Sequence, residues 1–129
     1  MWSPYDHAAD LGLEVVHADI EERGRYYPGH RLIVLRHGLH AVTERCTLAH
    51  ELGHHYRGSS EARADEWAAG FLITAERVAQ CALDFPDHPE TWADQLRVIP
   101  RMLKVWLTNP HNYDRAEFLW RALTETREP

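Results

Sequence analysis

Apolar and polar positions along the chain change rhythm about a third of the way in, from short strand-like runs to helical spacing. Residues 4–13 are expected to form a short first helix, with Leu11 and Leu13 turned inward. Residues 14–17 read as a short strand. The runs 25–27 and 31–35 flank Pro28-Gly29-His30, which is the signature of a β-hairpin. In the second run Leu32 and Val34 alternate with Ile33 and Leu35, so both faces of that strand are expected to be covered. A helix is then expected from Thr43, its N-cap, through Cys46, Leu48, Ala49 and Leu52. Gly58-Ser59-Ser60 interrupts it, and either serine can cap a second helix over 61–80, with Ala64, Trp67, Ala68, Phe71 and Leu72 on one apolar stripe. After the turn-rich stretch 84–89, helices are expected near 90–96, 101–107 and 113–124, parted by Val98-Ile99-Pro100 and Thr108-Asn109-Pro110. The pattern is α+β, a small sheet followed by helices. A single domain spans 1–129: a sheet-containing part (1–40), two central helices (41–83) and a C-terminal helical part (84–129).

Composition narrows the function. The 129 residues suit one domain, and 44% apolar with 26% charged residues is ordinary for a globular protein. No stretch approaches the ~20 apolar residues of a spanning helix. The opening Met1–Asp6 has neither the basic nor the apolar region of a secretory signal, so a cytoplasmic protein without membrane attachment is expected. Two cysteines, Cys46 and Cys81, make no disulfide framework. The formal net charge of -6 argues against direct nucleic-acid binding over a broad surface. Ten histidines prompt the question whether some are spaced as metal ligands.

His50-Glu51-Leu52-Gly53-His54 answers it. On a helix advancing about 100° per residue, His50 and His54 stand one turn apart on one face and can share a Zn²⁺. Glu51 lies beside that face, where it can act as general base on a water without occupying a ligand position. A third histidine six residues after His54 would mark a metzincin, but that position is Ser60, and the glycine expected at the third position is Arg57. The remaining arrangement is E-x-x-x-D on the following helix: Glu61 as third ligand and Asp65 orienting a ligand imidazole through its other nitrogen. Glu61 follows His54 by only seven residues. The chain must therefore turn sharply at Gly58, and Glu66 stays open as the alternative ligand.

The segments 44–54 and 61–69 resemble the ImmA/IrrE family of metallopeptidases, and the hairpin and the 92–107 segment follow that family's order of elements. The resemblance implies a zincin-like helical core and a gluzincin-like site, with His50, His54 and Glu61 on zinc and Glu51 as base. It further implies a protein substrate, a helix-turn-helix repressor of a phage, mobile element or stress regulon. The alternative is a non-catalytic anti-repressor that binds such a repressor without cleaving it; the presence of Glu51 favours the enzyme.

Other features carry blander readings. Cys46, one turn before His50, reads as a small buried residue. His55 points away from the His50–His54 face, and Trp67 and Phe71 read as core. The segment 92–107 has a helix-turn-helix-like apolar pattern with Arg101 and Lys104 on its second helix, yet its charge is nearly balanced and packing explains it better. The strand 31–35 could offer an edge to an extended substrate. Tyr26, Tyr56, His111 and Tyr113 are candidates for stabilising an oxyanion.

Overall fold

Ser3 accepts the Asp6 N–H at 3.2 Å and Pro4 follows it, a cap and first-position pair that starts α1, Pro4–Asp10. This helix is shorter than the expected 4–13. The Leu13 N–H turns back to the Ala8 carbonyl at 3.0 Å, which closes the helix early and still buries Leu13. The computed structural model describes residues 1–127. Two compact units divide the chain, Met1–Leu72 and Ile73–Pro129.

In the first unit three strands follow α1: β1 (Glu14–Ala18), β2 (Gly24–Tyr27) and β3 (Leu32–Arg36). They form one sheet in the order β1-β3-β2, with β1 parallel and β2 antiparallel to β3. The hairpin is the expected one, β2 and β3 joined by a single 3-10 turn, Pro28–His30. The central place of β3 accounts for its unbroken apolar run, since Ile33, Val34 and Leu35 are all buried. It also corrects the expectation that 31–35 offers a docking edge. Both edges of β3 are paired, and the sheet's free edges belong to β1 and β2.

Helix α2, Ala41–Arg57, begins two residues before Thr43. His40 is the cap, its Nδ1 accepting the Val42 N–H at 3.4 Å, a role the imidazole nitrogen fills in place of the expected threonine hydroxyl. In the first turn, Glu44 accepts hydrogen bonds from the Tyr5 hydroxyl of α1 and, at 2.7 Å, from His17 Nε2 of β1. Partial burial opposes ionisation of Glu44, but the bonds from Tyr5 and His17 prevail and hold its carboxyl below the usual range. Burial, with the bond to Glu44 and its charge, pushes the Tyr5 phenol up to about 12. A carboxyl depressed in the folded state stabilises it above the ordinary carboxylate pKa, and that stabilisation is lost as pH falls through the depressed value. Tyr5, raised, contributes below pH 10 and loses its contribution as pH rises towards about 12. Denaturant titrations from acid to alkaline pH should therefore show wild type losing its advantage over Glu44→Gln at both extremes. Parallel pH profiles of the two proteins would remove this corner from the fold's stability.

Residues 61–80 are two helices, not one: α3, Glu61–Leu72, and α4, Ala75–Asp84. Thr74 makes the break, its hydroxyl accepting the Arg77 N–H at 3.2 Å, a local bond that competes with helix continuation. Ala64, Trp67, Ala68 and Leu72 are buried as expected, but Phe71 is 42% exposed. It stacks on Trp67 with ring centroids 4.5 Å apart and leaves its outer side to solvent, which corrects its reading as core.

The second unit is helical: α4, α5 (Trp92–Leu96), α6 (Pro100–Thr108) and α7 (Pro110–Arg127). Helix α7 starts three residues before the expected 113, because Asn109 caps it by accepting the N–H groups of His111 and Asn112 at 3.0 and 3.2 Å. Along α6, Met102, Leu103 and Trp106 are buried while Arg101 and Lys104 are exposed. Among the described residues no helix is long and apolar enough to cross a membrane. The architecture is α+β, with a small sheet on the N-terminal side and helices beyond it.

Candidate metal centre

One turn of α2 places the His50 and His54 rings perpendicular to each other, with centroids 4.7 Å apart and the two Nε2 atoms 3.1 Å apart. Glu61, the first residue of α3, brings its carboxylate between them: Oε2 lies 2.8 Å from His50 Nε2 and Oε1 lies 3.2 Å from His54 Nε2. The far side of each ring is also engaged. His50 Nδ1 meets Asp65 Oδ1 at 2.7 Å, and His54 Nδ1 meets the Gly58 carbonyl at 2.8 Å. Both partners are acceptors, so each can take an Nδ1–H from its imidazole, and the tautomer that does so leaves the Nε2 lone pair for a metal. Two lone pairs and a carboxylate then converge on one point, an arrangement that calls for a cation in their midst. Donors ~2.0–2.1 Å from a tetrahedral zinc stand about 3.3 Å apart, close to the separations seen here. The residues fit the metal.

Residues 8–108 match the peptidase M78 family, whose domain is described as IrrE N-terminal-like. The chain belongs to that family. It is a family of metallopeptidase type and is zinc-associated. No curated protein and no solved structure shows significant similarity to the chain.

Glu51 lies on the same helix as the two histidines, with the donor atoms of all three within 4.8 Å of one another. It is buried, at 7% exposure. Burial pushes its carboxyl above the usual range; His50 and His54 pull it down, and Glu61 adds to the rise. The bridge between the imidazoles is nevertheless Glu61 and not Glu51. Glu66, the alternative ligand, is exposed five residues further on, about 140° round α3 from Glu61.

The turn that delivers Glu61 within seven residues of His54 rests on three local devices. Gly58 adopts φ 77° and ψ -150° and ends α2. Ser60 caps α3, its hydroxyl accepting the Arg63 N–H at 3.3 Å and its carbonyl the Ala64 N–H at 3.0 Å. Gly53, inside the H-E-x-x-H segment, lets the two helices touch: a Cβ there would stand 2.4 Å from the Ala64 carbonyl oxygen. This close approach sets Asp65 beside His50. The roles of Gly53 and of the Gly58 carbonyl were not readable from side-chain chemistry, since one acts by absence and the other through the backbone. The only hint was a glycine at an interior helix position, where it is otherwise unfavourable.

The edge strand β2 passes over this region. Its Gly24 has no side chain where a Cβ would lie 2.7 Å from Thr47 and 3.2 Å from Glu51. Further along β2, the Tyr26 hydroxyl meets His55 Nδ1 at 2.6 Å, which gives His55 a partner away from the His50–His54 pair. Tyr56 lies about 200° round α2 from His54. It stacks on Trp67 at 4.8 Å and meets His7 Nε2 at 2.8 Å, so its position is on the helix's other side. Cys46 is buried, as expected. His111 and Tyr113 are exposed on α7 of the second unit.

Proposed function

We propose that the chain is a zinc-dependent endopeptidase that hydrolyses a peptide bond in a protein substrate, with His50, His54 and Glu61 holding the metal and Glu51 as general base. The observation that carries this reading is the convergence of the two Nε2 atoms and the Glu61 carboxylate, each imidazole held from behind by an acceptor. When bound, zinc would polarise the scissile carbonyl and lower the pKa of a water towards ~7. Glu51 takes a proton from the attacking water as its oxygen adds to the carbonyl carbon, and returns it to the amine as the C–N bond breaks. Asp65 keeps His50 in its Nδ1–H tautomer throughout. The free edge of β2 lies beside Glu51 and suits an extended substrate segment held by main-chain hydrogen bonds. The substrate class that goes with this site is a helix-turn-helix repressor of a mobile element or stress regulon, met in the cytosol.

The test joins metal content to cleavage. The purified protein should hold close to one zinc per chain and cut such a repressor at one bond, with cleavage abolished by a chelator and restored by zinc. Glu61→Ala should weaken zinc by more than the ~10–100-fold seen when only an outer contact is lost. Full zinc in Glu61→Ala would move the third ligand elsewhere. A wild type that binds the repressor but never cuts it would make the protein an anti-repressor.

A further inference from the structure

The two imidazoles at the centre are held by different means. At Nδ1, His50 meets a side chain, the Asp65 carboxylate, whereas His54 meets a main-chain group, the Gly58 carbonyl four residues on. Within a regular helix that carbonyl points along the axis towards the C-terminus, away from a side chain one turn earlier. Here the chain turns over at Gly58. Its N–H still donates to the His54 carbonyl at 2.9 Å and closes the helix, while its own C=O swings back to accept from His54 Nδ1 at 2.8 Å. Both polar groups of one peptide residue thus address the same histidine.

That reversal needs φ 77° and ψ -150°, a combination open essentially to glycine alone. Space is not the reason for the glycine, because a Cβ at position 58 would meet nothing within 4 Å. We infer that Gly58 is a positioning residue: its glycine-only backbone conformation aims the carbonyl that fixes the tautomer and ring plane of His54 and so presents Nε2 to the metal. The inference rests on the reading of the site as a zinc centre. It adds a backbone contact that no side-chain motif encodes.

The conformation itself can be tested, since the mirror image of φ 77° and ψ -150° is ordinary extended backbone. A D-residue adopts at position 58 what an L-residue cannot. Cys46 and Cys81 are junctions at which the chain can be assembled from synthetic segments, so Gly58→D-alanine is accessible beside Gly58→Ala. Gly38→Ala is the control, because Gly38 also has φ 77° with nothing within 4 Å and lies in the β3–α2 connection. Zinc affinity measured by chelator competition should fall ~10–100-fold in Gly58→Ala, the usual cost of losing an outer contact to a ligand histidine. It should be unchanged in Gly38→Ala and restored in Gly58→D-alanine.

Long-range ¹H–¹⁵N spectra of the metal-free proteins give a second readout. His54 should be the Nδ1–H tautomer in wild type and Gly58→D-alanine, and a mixture in Gly58→Ala. Wild-type affinity and tautomer in folded Gly58→Ala would overturn the inference, as would a loss that D-alanine fails to rescue. A wild type that binds no zinc would instead bring down the zinc reading, and the tautomer spectra would still report whether Gly58 holds His54.

Discussion

Glu51→Gln is expected to lower peptide-bond hydrolysis by ~10²–10⁴-fold while leaving zinc in place. The amide has nearly the shape of the carboxylate but cannot accept the proton of the attacking water. Zinc should stay because the carboxylate that bridges His50 and His54 is that of Glu61, within 3.2 Å of both nitrogens. Folding should not suffer either. Burial already disfavours the ionised form of Glu51, so exchanging it for a neutral amide removes an unfavourable charge. Zinc stoichiometry, a thermal melt and cleavage rates on the same preparation check all three statements. Undiminished cleavage would remove Glu51 from its role, and loss of zinc would place it among the ligands.

Gly53→Ala tests the other end of the argument, the packing that assembles the site. On an open helix the change would stabilise by ~1 kcal/mol, because alanine is the better helix former. Here the new Cβ would stand 2.4 Å from the Ala64 oxygen and 2.8 Å from its Cα. These are backbone atoms, so no rotamer change relieves the contact and the helices must separate. Overpacking of this kind costs ~1–3 kcal/mol, occasionally more, which outweighs the propensity gain. Helix α3 carries Glu61 and Asp65 together, so its displacement should weaken both the bridging carboxylate and the bond to His50. The expected result is a net loss of up to about 2 kcal/mol in denaturant unfolding, accompanied by weaker zinc binding. A variant as stable as wild type with unchanged zinc affinity would show that the helices need no such close approach.

Elements with a local cause were legible before any folding. The grouping of His50, Glu51 and His54 follows from the helix's own 100° step, and the hairpin follows from two strand-like runs around Pro28-Gly29. Boundaries were less so. His40 caps α2 in place of Thr43, and Thr74 divides what looked like one helix over 61–80, because a cap depends on one hydrogen bond that several neighbouring side chains can supply. Phe71 fits the apolar period of α3 yet stays exposed, since periodicity shows which residues share a face and not how far the neighbouring element extends over it.

By itself, the sequence determined the class of fold, the helix that bears the histidines and glutamate, and the residue types able to hold a metal. Each of these rests on geometry repeated within a few residues. Only the tertiary structure decided that β3 is central and β2 free, that Glu61 and not Glu66 meets both imidazoles, that Gly53 sets the helix contact and that the Gly58 carbonyl holds His54. Those are relations between segments, fixed by strand pairing and by how closely two backbones approach, and no periodicity within either segment contains them.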